Sequence, residues 1–322
     1  MSPSQFQHDN EARWQRLQSM LDQVEKGAPV PDIAEFPTLF RQTCHDLSVA
    51  QHRMYGARLV DRLNTLAIDG YRVLERRITG GWERLYQLLA RDFPREVRAE
   101  PRLFWLCMAI FWLPFFFFIL WTPIDPEWTM ALLGPDTMLK MEDMYGHGTS
   151  PLEAKREEFG SDFFMFAYYI FNNVGIDLRT FASGLLGGVG TIFVLLFNGL
   201  MIGAAAGYVN YACNPDTFWP FVAGHSAPEL MGIVISGMAG LRLGWALVHP
   251  GNYDRRTALV LGGRRALLLI TGAALMTAFA AIIEGFWSAT PMQSWIKYTF
   301  GACMWILVLG YLAFSGRERH AA

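Results

Sequence analysis

His225 and Glu229 stand four residues apart in the string GHSAPEL, one helical turn, so they share a helix face. Glu284 lies in a second apolar stretch, in IEGF. A histidine beside carboxylates can relay a proton, and three such side chains can hold zinc. Asn172, Asn173, Asn198 and Arg242 also fall in or near apolar runs. Polar and ionisable groups in such runs are costly and mark functional or inter-helix roles. Three readings of His225, Glu229 and Glu284 stand side by side. They tie helices together, they bind a ligand or partner, or they do metal or proton chemistry. The chain has no HExxH, no Walker A lysine and no spacing that argues for a Ser-His-Asp arrangement. No catalytic residue, metal or cofactor is therefore expected. The asparagines are expected to hydrogen-bond between helices, and Arg242 to pair or to snorkel.

What must position these residues is membrane-like. Of 322 residues, 52% are hydrophobic and 17% charged, against about 25% charged in an ordinary soluble domain. Mean hydropathy is +0.20. The charge is uneven: residues 1–100 carry 28 charges, half acidic and half basic, and the other 222 residues carry as many. A net charge of −2 gives no field toward nucleic acid, so a nucleic-acid partner is not expected. Cys44, Cys107, Cys213 and Cys303 form no CxxC pair and read as free thiols.

Residues 103–124 contain no charge, and 22 helical residues rise about 33 Å, enough for a hydrocarbon core of about 30 Å. Further apolar runs cover 162–178, 181–210, 225–248, 265–287 and 294–314. The expectation is an all-α polytopic membrane protein with about six spans, or five plus a re-entrant or in-plane helix at 162–178. An N-terminal helical bundle over 1–98 precedes a transmembrane domain over 99–322. Residues 1–98 show no signal peptide and read as cytosolic. Arg255, Arg256 and Arg264 in a 249–264 loop, Arg265 at its edge, and Arg317 and Arg319 in the tail place both termini on the cytoplasmic side. That parity requires 162–178 to cross and puts the acidic loop 125–161 outside. Small residues recur at helical spacing: Gly199, Gly203 and Gly207; Gly232, Ser236, Gly240 and Gly244; and the pair Gly184 and Gly188. Such stripes let helix backbones approach in lipid, within a bundle or between copies, and a homo-oligomer is expected.

FNN (171–173), GLLGGVGT (184–191), LLFNGLMIGA (195–204), GHSAPEL (224–230), GMAGLRLG (237–244), HPG (249–251) and IEGF (283–286) resemble the stage II sporulation protein M family of integral membrane proteins. Ser226 stands where that family usually has glycine after the histidine. LNTLAIDGY (63–71) and WERLYQLLARDFPREVR (82–98) resemble the helical extension of members from non-sporulating bacteria. The resemblance implies a scaffold or assembly factor in the bacterial inner membrane rather than an enzyme. As partners it implies peptidoglycan-remodelling murein hydrolases, or MoxR-type AAA+ ATPases with von Willebrand factor A-domain proteins. A transporter or channel-like protein with its polar site at His225, Glu229 and Glu284 is the alternative.

Overall fold

The computed structural model describes residues 2–25, 33–78, 81–146, 161–288 and 290–317. Among them every regular element is helical, and the chain divides into two units, Met1–Leu85 and Tyr86–Ala322.

The N-terminal unit is built on α1 (Pro3–Glu25), α2 (Phe36–His52) and α3 (Ala57–Ile78), with α4 (Gly81–Gln87) at its boundary. Trp14, Leu17 and Leu21 recur at helical spacing on α1 and bury against Phe36, Ala50, Leu63 and Leu66. Arg53–Gly56 turns α2 into α3. Asp46 on α2 is 5% exposed and accepts hydrogen bonds from Trp14 Nε1 at 2.9 Å and Arg13 at 2.8 Å. Arg62 on α3 grips Glu11 on α1 through both carboxylate oxygens, at 2.8 and 2.9 Å.

The second unit begins earlier than residue 99. A π-helical turn, Leu88–Asp92, leads into α5 (Phe93–Ala99), and Phe93 and Val97 bury in the core of the apolar helices. A π turn leaves carbonyls off the regular ladder. Here Tyr311 Oη donates to the Leu89 carbonyl and Ser315 Oγ to that of Ala90. Arg98 in turn donates to the last carbonyls of the final helix, Leu312 and Ser315. Residues 86–98 are thus welded to the membrane unit, and the boundary lies at 85/86 rather than 98/99.

Then follow α6 (Pro101–Trp121), α7 (Pro126–Leu133), α8 (Pro135–Tyr145), α9 (Asp162–Tyr169), α10 (Gly175–Ala182), α11 (Val189–Ala212), α12 (Pro215–Ala223), α13 (Ser226–Val248), α14 (Arg255–Ile282) and α15 (Ser294–Phe314). Among the described residues, five helices are long and apolar enough to cross a membrane: α6, α11, α13, α14 with its π-helical end to Ser288, and α15. The sixth expected span is α9–α10, joined by the π turn Ile170–Val174. It is not among the five, because Asn172, Asn173, Asp177 and Arg179 make it too polar. It nonetheless runs the depth of the bundle. Gly285 packs on Phe166 near its start, Asp177 lies beside Gly232, and Gly184 just past its end abuts Gly240.

α13 is the central helix. Within its most apolar stretch 67% is buried, against 22% for α6, whose Trp105, Leu113 and Leu120 face outward. Outward apolar side chains on a span are what lipid requires. The glycine stripes are spent inside the chain. A Cβ at Gly199, Gly203 or Gly207 would collide with α6 or with Thr122 just beyond it. One at Gly232 or Gly240 would strike Thr277 or Thr191, and one at Gly244 would strike Gly188. Ser236 is fully buried on the same helix. Gly184 and Gly188 are not a helix stripe. Gly184 closes against the Gly240 carbonyl from a 3-10 turn, and Gly188 caps α11 in the left-handed region at φ +87°.

Two loops are helical. α7 and α8 occupy much of 125–161, where residues 147–160 lie outside the described residues. Asp254 accepts from the Thr257 backbone N–H and starts α14 at Arg255, so the arginines read as a loop ride the first turns of a span. α12 was not expected, although Asn214 followed by Pro215 is a helix-start signal that would have found it.

Candidate functional site

Two π turns face each other at one end of the membrane unit. Ile170–Val174 carries Asn172 and Asn173, and Ile283–Ser288 carries Glu284 and Ser288. A π turn inserts one extra residue and re-aims the side chains around it, which is why such turns gather at functional sites. Asn173 Nδ2 donates to Glu284 Oε2 at 3.4 Å, and Asn172 Nδ2 to Asn173 Oδ1 at 2.8 Å. Tyr169 stands beside Glu284.

His225 occupies the N-cap position of α13, with Glu229 in the first turn above it. Ser288 Oγ lies 2.9 Å from His225 Nδ1, and Phe221 meets the imidazole edge-on with centroids 5.6 Å apart. The Ser288 contact leaves Nε2 turned to the acids, 3.9 Å from Glu229 Oε2. One possible ligand atom from each of His225, Glu229 and Glu284 lies within 4.8 Å of the others. His225 and Glu284 are 5% and 7% exposed, and Glu229 is half-buried. Lys297, buried at the start of α15, donates to the Ser288 carbonyl at 2.7 Å.

All three residues line one chamber of about 780 Å³. Its walls are apolar, with Phe115 of α6, Met201 of α11, Phe221 of α12 and Trp305 of α15 among them. The arrangement is a large greasy space with a polar, anionic head. It can hold a cation at the head, or an amphiphile with its polar end there.

The expected residues do not all meet. His225, Glu229, Glu284 and Asn173 converge, and Asn172 braces Asn173. Asn198 does not belong, because its Nδ2 donates to the Val194 carbonyl of its own helix. A half-buried amide on a span takes the nearest acceptor, and one turn back is nearest. Arg242 pairs with Glu100 at the opposite end of the unit, where Arg265 also approaches Glu96 at 3.7 Å.

Ser288 and Lys297 were missed, and so was Asp177. Asp177 is fully buried between α10, α13 and α14. The hydroxyls of Ser236 and Thr277 stand beside it, yet none of these four oxygens makes a hydrogen bond of good geometry. The criterion that picked Glu284, an acid in an apolar run, would have picked Asp177 as well.

Two family matches cover this chain. Residues 106–289 match Stage II sporulation protein M, and residues 4–76 match a domain of unknown function (DUF8413). No curated protein and no solved structure matches it. The first match contains the π turns, His225, Glu229 and Glu284, and spans more than half of the 322 residues. The chain therefore belongs to the stage II sporulation protein M family of membrane proteins.

Proposed function

We propose that this protein is a membrane scaffold or assembly factor of a bacterial envelope complex, and not an enzyme. The observation that carries the reading is the division into two units. A helical unit with its own core, Met1–Leu85, is joined to an apolar helical unit that belongs to a membrane-protein family. On this reading the first unit receives a protein partner and the second anchors it. Ile68, Tyr71 and Trp82 are exposed on the first unit and suit a protein contact. Family resemblance supports the partner classes: a MoxR-type AAA+ ATPase with von Willebrand factor A-domain proteins, or murein hydrolases. Homo-oligomers and a surrounding shell of membrane lipid complete the assembly.

The orientation follows from charge. Arg95, Arg98, Arg102, Arg255, Arg256, Arg264 and Arg265 gather at the end where Arg242 meets Glu100. Asp125, Glu127, Asp136, Asp143 and Asp216 gather toward the other. The basic end is cytoplasmic by the positive-inside rule, with both termini there, in the inner membrane. The test compares affinity purifications of the full chain and of a chain lacking residues 1–85. The deletion stops at 85 because Phe93 and Val97 belong to the second unit's core. An AAA+ ATPase or murein hydrolase retained by the full chain and lost by the shorter one is expected. Every partner retained after the deletion would overturn the reading.

One observation favours a second reading, the chamber with its acidic head. A transporter or channel-like protein would use it, and ion-linked flux in liposomes would then vanish in Glu284→Gln.

A further inference from the structure

We propose that His225, Glu229 and Glu284 form a binding site for one zinc ion. The ligand set is right for the ion: one imidazole nitrogen and two carboxylates, three protein ligands with a remaining position for water. Around zinc at about 2.1 Å, tetrahedral ligand atoms stand about 3.4 Å apart. His225 Nε2 and Glu229 Oε2 are already 3.9 Å apart, and all three ligand atoms lie within 4.8 Å. Ion binding would have to draw these side-chain atoms closer by about 0.5–1.4 Å.

The surroundings support the ligands as metal sites require. Ser288 Oγ engages Nδ1, which fixes the imidazole with Nε2 toward the carboxylates. Asn173 donates to one oxygen of Glu284 and orients it. Lys297 donates to the Ser288 carbonyl and braces the same π turn. Two carboxylates this close, beside apolar walls, do not both stay charged without a cation or a proton between them, and a bound ion supplies that charge. The ligands come from two elements that the fold treats specially, the N-cap of α13 and a π turn, so ion binding would pin α13 to α14. The free side of the site opens on the chamber, where water completes the shell. This inference is independent of the scaffold reading, since a scaffold can carry a structural ion or none.

The experiment uses the full chain in detergent, stripped with a chelator and titrated with Zn²⁺ against a competing indicator. Co²⁺ serves as a coloured substitute. One ion per chain is expected, with a tetrahedral Co²⁺ spectrum. His225→Ala and Glu284→Gln should each lose at least ~100-fold in affinity, and Ser288→Ala about tenfold, the range seen for outer partners. Asn198→Ala, in the same unit but outside the cluster, should bind as the parent does. No ion bound by the parent, or equal binding by the parent, Asn198→Ala and His225→Ala, overturns the proposal and leaves a hydrogen-bonded clamp. Should His225→Ala fail to fold, Ser288→Ala decides, because it keeps all three ligands. Unchanged affinity and an unchanged Co²⁺ spectrum there would sink the site as drawn.

Discussion

Asp46 shows what one buried acid can do in the N-terminal unit. It accepts from Trp14 and from Arg13, so it ties α1 to α2 through a neutral and a charged donor. Asp46→Ala would leave the Trp14 N–H buried without an acceptor, at a cost of about 2–3 kcal/mol. Asp46→Asn keeps an acceptor for Trp14 and should cost less. Faster amide exchange across α1 and α2 in the alanine variant, with residues 101–121 unchanged, is the expected result. Exchange in the alanine variant no faster than in the parent would mean that the acid contributes nothing. The same rule separates what could be read from residue types at the membrane site and what could not. His225 and Glu229 were legible because their spacing is a property of any helix. Glu284 was legible because a charge in an apolar run is rare. Asn198 misled because an amide's partner depends on the rotamer, and its own helix supplied one. Ser288 carries no such flag, since a serine in an apolar helix is common.

Among the elements, the spans were legible to within a turn or two at most of their ends, because lipid imposes length and composition together. The π turns were not. An inserted residue changes no composition, and only the packing of Asn173 on Glu284 and of Tyr311 on the Leu89 carbonyl reveals it. The glycine stripes were legible as close-packing devices, but their partner was not. Spacing alone could not distinguish a seam inside the chain from a seam between copies. Their use inside the chain makes a sharp prediction. A Cβ at Gly203 would stand 2.5 Å from the Phe115 carbonyl oxygen, a backbone atom that cannot swing aside. Gly203→Ala should force α6 and α11 apart and cost about 1–3 kcal/mol. Gly310→Ala on α15, where a Cβ meets nothing, should be neutral. A lower thermal midpoint in detergent for the first and not the second is expected; equal midpoints would mean that α6 and α11 are not in close contact.

For the whole molecule, the decisive quantity is the number of crossings, and hydropathy and geometry answer it differently. Hydropathy admits five helices. The packing requires a sixth passage. α6 ends at Thr122, and the far end of α11 returns to that level, since Gly207 abuts Thr122. α11 itself starts at Gly188, which abuts Gly244 near the other end of α13. The chain must therefore pass back through the bundle between residues 122 and 188, and α9–α10 is the described segment that runs this depth. It can be polar because it is not the helix that meets lipid everywhere. Asn173 and Asp177 face α13 and α14 rather than the bilayer. With all four native cysteines, Cys44, Cys107, Cys213 and Cys303, replaced by serine, single introduced cysteines then report the sides. Asp136→Cys and Asp216→Cys, both exposed, should react with an impermeant maleimide on one face of the membrane. Thr257→Cys, exposed at the start of α14, should react only from the other. Labelling of Asp136→Cys and Asp216→Cys from opposite faces, as five crossings require, would overturn the six-passage bundle. Labelling of the first pair from outside, with Thr257→Cys protected until lysis, places the basic end in the cytoplasm and the acidic head of the chamber near the outer surface.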